Sequence, residues 1–253
     1  MGHVTAFIRK YWITAVLIAG MCGGYWGVTH AGFLDPVLFP TPERIWKAFT
    51  DYADIMPLNF ASSMSLLVPS LVLGTVIALA FGVLMGMNRR VRDTLYPIVY
   101  AISVVPAILL SPFALHLAPS FMAASMFLIV YNTVWATLFA TVTGIMTIDK
   151  RYLDNAATLC LTGPKKLAKV ILPAAMPSIL SGFVTSLRSS FLVLVFAEMY
   201  SAQYGMGYFV KKNADFGLYD NTWAGFLFMI LVLVVVMQIF EKIKNRMLDW
   251  TMD

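Results

Sequence analysis

The run "DNAATLCLTGPKKLAKVILPAAMPSIL", Asp154 to Leu180, decides how the chain is read. It mixes charge, Gly and Pro with apolar residues, while the sequence on either side is nearly continuous hydrocarbon. Asp154 precedes a good helical run, and its carboxylate is of the kind that accepts the free amide protons of a first turn. Ala156, Ala157 and Leu159 favour helix, Gly163 and Pro164 interrupt it, and "KKLAKVIL" resumes it. Pro173 and Pro177 then mark entry into the next apolar run. The expectation is two short helices joined by a Gly-Pro bend and projecting from a membrane. By themselves these residues leave two readings open: a basic loop held at lipid headgroups, or a docking element for another protein.

The surroundings make lipid the solvent. The chain has 253 residues, of which 60% are hydrophobic and 12% charged, against about 25% charged in soluble domains. A membrane-crossing helix needs about 20 mainly apolar residues. Six candidates appear, at about 11–30, 62–87, 95–116, 121–146, 177–201 and 223–240. The expected fold is an all-α, six-span domain over residues 1–253, with a cytoplasmic loop at 147–176. Pro97, Pro106 and Pro112 predict a kinked or broken third span. The N-terminal "RKYWITAVLIAGMCGGYWGV" has the basic-then-apolar order of a signal peptide. Its apolar stretch runs to about Val28 and is long enough to span, so a retained helix is expected.

Charge sets the orientation. With the N-terminus inside, the inner segments hold thirteen of the eighteen Lys and Arg and the outer segments four, with Arg188 inside a span. Such a bias puts both termini and the opening run in the cytoplasm. Formal charge is +5, and because it sits in short loops it speaks for membrane orientation rather than for nucleic acid. Outside, "LFPTPERIWKAFTDYADI" (38–55) carries Ile45, Trp46, Phe49 and Tyr52 at helical spacing after Pro40 and Pro42, which predicts an interfacial amphipathic helix. "QYGMGYFVKKNADFGLYDN" (203–221) is rich in Gly and aromatics and is expected across the outer mouth.

The opening run resembles the cytoplasmic loop of ABC importer permeases, whose pattern is Glu-Ala-Ala, three residues, Gly, nine residues, Ile, one residue, Leu-Pro. With Leu172-Pro173 on the Leu-Pro, Val170 takes the Ile position, Cys160 the Gly, and Asp154-Asn155-Ala156 the Glu-Ala-Ala. Asn155 and Cys160 depart from the pattern. "VILPAAMPSILSGF" followed by "VFAEMYSAQYGMGYFV" is similar to the nitrate/sulfonate/taurine-type branch, with Ala197-Glu198-Met199 and Gly205-Met206-Gly207-Tyr208 as its two further motifs. "FPTPERIWKAF" resembles that branch's early Pro-Ser/Thr-Pro segment. The resemblance implies a bacterial inner-membrane permease subunit working as a homodimer. Asp154, Asn155, Ala156, Ala157, Cys160, Gly163 and Pro164 would then seat on a pair of ATPase subunits. ATP and Mg would belong to those subunits, and a substrate-binding protein would deliver a small, often anionic solute or a vitamin precursor from outside. The chain itself has no phosphate-binding Gly-x-x-x-x-Gly-Lys-Ser/Thr.

Charge at membrane depth is costly and usually faces an interior or a cavity. Arg188 and Glu198 are ten positions apart, about 15 Å along a helix and about 80° from in-line, so they do not pair directly. Arg188 is expected to bond carbonyls of a neighbouring helix, the alternative being a pathway position that attracts an anion. Glu198 is read either as an outer-gate residue or as a cap for the segment after it. His116 is expected as an interfacial polar residue rather than a ligand. No metal-ligand spacing, nucleophile motif or cofactor box appears, and an enzyme is not expected. An ATP-independent secondary transporter or channel would need an inverted repeat or an ion-coupling set. An integral-membrane enzyme would need clustered catalytic groups. Neither pattern is seen.

Overall fold

Three long apolar helices form the centre of the molecule, and small residues decide how closely they meet. The computed structural model describes residues 2–249, and every regular element among them is helical. In chain order these are α1 (Gly2–His30), α2 (Pro42–Asp51), α3 (Ile55–Met87), α4 (Arg89–Ser103), α5 (Ser111–Leu117), α6 (Phe121–Met146), α7 (Lys150–Thr158), α8 (Gly163–Lys166), α9 (Leu172–Ser201), α10 (Met206–Asp215) and α11 (Tyr219–Met247). Five stretches are long and apolar enough to cross a membrane, and α4 with α5 make a sixth if that bent pair is one span.

On α3, Gly74, Gly82 and Gly86 face Thr133, Thr141 and Ile145 of α6; the numbers rise together, so the two helices run parallel. A Cβ on Gly74 would lie 2.7 Å from Thr133 Cβ, and one on Gly82 would lie 2.6 Å from Thr141 Cβ. Such glycines let two backbones approach, the usual device where lipid supplies no hydrophobic drive. Helix α9 packs antiparallel on the next face of α6. Gly182 abuts Ala136 and Ala140, and Gly144 abuts Ser178. Between them runs a hydroxyl ladder: Thr137–Ser186 at 2.9 Å, Thr133–Ser190 at 2.7 Å, and Ser186 Oγ donating to Thr133 O at 2.7 Å. Each such interhelical bond stabilises by about 0.6 kcal/mol.

The third span is broken, as its prolines predict, with a 76° bend between Arg89–Ser103 and Ala107–Leu117. Pro106 has no N–H to give to Ile102 O, four residues back. Ile102 O accepts instead from Val105 N at 3.1 Å and from the Tyr131 hydroxyl of α6 at 2.6 Å, and that hydroxyl also lies 3.1 Å from Val105 O. Non-helical backbone at membrane depth is tolerated where a neighbour satisfies it in this way.

Helix α2 is the amphipathic helix expected after Pro42. Ile45 and Ala48 are buried with Met56, Phe209 and Ala224, and Arg44 grips Asp220 at the start of α11 at 2.9 and 3.0 Å. Its Glu43 accepts from Trp26 Nε1 at 2.9 Å. Hydrogen bonds from its own backbone amide, Thr41 and Trp26, with His30 nearby, hold that carboxyl below its ordinary pKa. These contacts, with Tyr25 Oη donating to Pro40 O, moor the outer end of α1. The apolar window of Trp12–His30 is otherwise wholly uncovered.

Several boundaries differ from the sequence expectation, among them the start of the third span, at Arg89 rather than near 95. The second span begins at Ile55 rather than near 62, because Pro57 occupies a first helical turn, where a missing N–H costs nothing. The last runs Tyr219–Met247 rather than 223–240, its charged inner end remaining helical. The fifth helix runs unbroken from Gly163 to Tyr200, so it starts well before 177.

Candidate functional site

The run from Lys150 to Gly163 folds into an ordered knuckle. Helix α7 starts five residues earlier than expected, and its cap is Asp149, whose carboxylate accepts Arg151 N at 2.8 Å. Asp154 is therefore not the N-cap; it lies mid-helix and points to solvent, as do Asn155 and Ala157. Ala156 is buried. It lines a groove of about 210 Å³ with Tyr152, Asn155, Leu159, Lys169, Val170, Pro173 and Ala174, between α7 and the inner end of α9.

The end of α7 explains one departure from the permease pattern. Cys160 sits at φ +50. Its amide bonds Ala157 O at 2.9 Å and the amide of Leu161 bonds Ala156 O at 2.9 Å, the paired closure that ends many helices with a left-handed residue. Glycine suits that conformation without penalty, and Cys160 occupies the position where the pattern has Gly. Gly163 follows at φ +54 with nothing within 4 Å of where a Cβ would stand, and Pro164 takes the first turn of α8.

The expected second short helix is instead the inner end of the fifth span. Helix α8 passes through a π turn at Leu167–Ile171 directly into α9. That wider turn lies just before Pro173, whose ring and missing N–H disturb the preceding turn. The real joint is the Cys160–Gly163 turn, with two residues at positive φ.

Higher on α9, Arg188 is exposed and makes no hydrogen bond or ion pair among the described residues. The expected bond to a neighbouring helix is not formed, because α6 and α3 pack on the face bearing Gly182, Ser186, Leu187, Ser190 and Leu194, while Arg188 points away with Ser181, Thr185 and Leu192. His116 lies exposed at the end of α5, also without a bond among the described residues.

Glu198 faces the other way and is 0% exposed. Its Oε2 accepts the amide of Gly207 at 2.7 Å, Asn59 Oδ1 accepts that of Gly205 at 3.1 Å, and Ser63 Oγ accepts that of Met206 at 3.0 Å. Three successive amides opening α10 are thus satisfied by side chains of two other helices. Gly205 is at φ +126, and a Cβ there would stand 2.5 Å from Glu198 Cδ. Asn59 and Ser63 escaped the sequence reading; their one signal is polar side chains four apart at the outer end of an apolar span. Among the described residues no group of His, Cys, Asp and Glu is arranged to hold a metal.

Comparison with known proteins gives one family and one fold. Residues 70–248 match the family of binding-protein-dependent transport system inner membrane components. The chain is 23% identical over 252 residues to the taurine transport system permease protein TauC of Escherichia coli, covering 96% of this chain and 90% of that one. It is 26% identical over 179 residues to the bicarbonate transport system permease protein CmpB of Synechococcus elongatus (70% and 62%). It is 24% identical over 188 residues to the nitrate import permease protein NrtB of Leptolyngbya laminosa (74% and 67%). In shape it is similar to a chain of the MetNI methionine ABC transporter in an inward-facing conformation, with a TM-score of 0.63 at 15% identity over 80% of this chain and 99% of that one.

Proposed function

Because the chain belongs to the family of binding-protein-dependent transport inner membrane components, we propose that it is the pathway-forming subunit of an ATP-driven importer for a small anionic solute. The solute is of the sulfonate, taurine, nitrate or bicarbonate kind, as the relatives' names indicate. Two copies form the membrane unit in the bacterial inner membrane, with both termini in the cytoplasm. A binding protein delivers solute at the outer face. Two ATPase subunits, which hold the ATP and Mg, seat the knuckle at Lys150–Gly163.

The observation that carries this reading is the knuckle itself. It is a short capped helix closed by a hydrogen-bonded turn, with Asp154, Asn155 and Ala157 turned outward and a groove beside Ala156. A loop merely resting on headgroups has no need of that order, whereas a surface that transmits motion does. Seating on an ATPase also gives the solvent-facing Asp154, Cys160, Gly163 and Pro164 a role.

The test uses outward-facing positions so that the bundle stays intact. Asp154→Lys with Ala157→Glu is expected to abolish co-purification with the ATPase subunits and solute-stimulated ATP hydrolysis, while helicity and thermal stability stay at the parent value. Solute uptake that continues without ATP would instead make the chain a channel or secondary transporter. Turnover of a solute by the chain alone would make it an enzyme.

A further inference from the structure

We propose that Arg188 and the α9 face around it form an anion-attracting stretch of the solute pathway, admitting small oxyanions and holding back cations; this rests on the permease reading above. Arg188 lies thirteen residues inward of Ser201, about 20 Å along the helix, within a hydrocarbon layer of about 30 Å. It is exposed there and has no partner among the described residues. A guanidinium is always charged, and at this depth it faces either protein or a water-filled cavity.

What could cover it is limited. Glu198 is the other charged side chain in the outer half of α9; it is buried and committed to the amide of Gly207. Helices α3 and α6 carry no acidic residue, and those of α11, Asp220 and Glu241, stand near its two ends. A second copy of the chain therefore brings another Arg188 and no counter-charge at the same depth. The face is polar on the inward side of Arg188 and apolar at Leu192, four residues outward. Ser181 stands at i−7 and Thr185 at i−3, with the Thr185 hydroxyl turned to Ser181 O at 3.1 Å. Two unneutralised guanidinium groups in a wet passage raise the local concentration of anions and lower that of cations.

The test reads local charge directly, in the full complex in membrane vesicles. In a Cys22→Ser, Cys160→Gly background, Thr185→Cys is exposed to two thiol reagents of similar size. One is the anionic sulfonatoethyl methanethiosulfonate and the other the cationic trimethylammonioethyl compound. The anionic reagent is expected to gain at least about 5-fold in rate relative to the cationic one, the size of one unit charge felt at about 4 Å in water. Arg188→Gln is expected to remove that preference and Arg188→Lys to keep it. Ser181→Cys gives the same readout should the first variant misfold. A ratio unchanged by Arg188→Gln, or thiols at 181 and 185 that react with neither reagent in any nucleotide state, overturns the proposal. Co-purification of the ATPase in the same samples reports on the permease reading separately.

Discussion

Glu198 and Gly207 are joined by a 2.7 Å hydrogen bond across the turn that separates α9 from α10. The first amides of a helix have no partner within it and carry a partial positive charge. In α10 these amides are answered from outside the helix, by Glu198 of α9 and by Asn59 and Ser63 of α3. The outer segment between the last two spans is therefore fastened to the core at its start, and its fate is tied to three side chains.

Removing the fastener should loosen α10 first. Glu198→Ala leaves the Gly207 amide buried without an acceptor and is expected to cost about 1–3 kcal/mol. Thermal unfolding in detergent reads the loss, and hydrogen exchange at 205–210 locates it. Glu198→Gln keeps a carbonyl oxygen for Gly207 and is expected to cost less. Equal losses in the two variants would show that the bond to Gly207 is not what matters.

Gly205→Ala meets two penalties at once, a φ of +126 and a contact of 2.5 Å with Glu198 Cδ. It is expected to be more damaging than Glu198→Ala, with little folded protein recovered from membranes. Normal yield and unchanged exchange at α10 would contradict this.

Cys160→Gly is expected to stabilise the knuckle. The left-handed conformation costs a residue with a Cβ about 1–2 kcal/mol, and part of that gain is offset by the freer unfolded chain. A net rise of roughly 1 kcal/mol, read by thermal unfolding, is expected. Cys160→Val, branched at Cβ, should move stability in the opposite direction.

Tyr131→Phe removes the hydroxyl that bonds Ile102 O and Val105 O at the break in the third span, leaving Ile102 O with Val105 N alone. A cost of about 1–2 kcal/mol is expected, with faster exchange confined to residues 102–108. Exchange that rises uniformly along α6 instead would assign Tyr131 a packing role.

Gly182→Val presses a branched side chain against Ala140 Cβ and the Ala136 carbonyl, both backed by α6. Because neither neighbour can swing aside, overpacking of about 1–3 kcal/mol or more is expected. The measurement is the recovered fraction of monodisperse protein.

Much of the architecture was legible because lipid enforces simple rules. Long apolar runs located the spans, Pro97, Pro106 and Pro112 together foretold a break in the third without saying which would make it, and the aromatic spacing after Pro42 located α2. The position of the knuckle was legible from the spacing between Asp154 and Pro173. Its interior was less so. Asp149 and Asp154 are equally good caps on paper, and what separates them is where the backbone enters the helix. Pro173 and Pro177 read as an entry signal, yet a π turn absorbs the disturbance and the helix runs on. The outer clasp was hidden for another reason. Capping signals in sequence are local, whereas Asn59 and Gly205 are 146 residues apart. The unpartnered state of Arg188 depends on which face of α9 meets α6, and glycine contacts set that more than polarity does.

From Gly163 to Tyr200 the backbone is one rod of 38 residues, about 57 Å long. Its lower tip emerges from the Cys160–Gly163 turn, its upper tip carries the carboxylate that grips α10, and the Thr137–Ser186 contact lies near its middle. Helix α6 clamps it from Ser178 to Ser190, so both tips hang on one shaft gripped along its middle third. The Cys160–Gly163 turn and the clasp on α10 are in that sense two ends of the same beam.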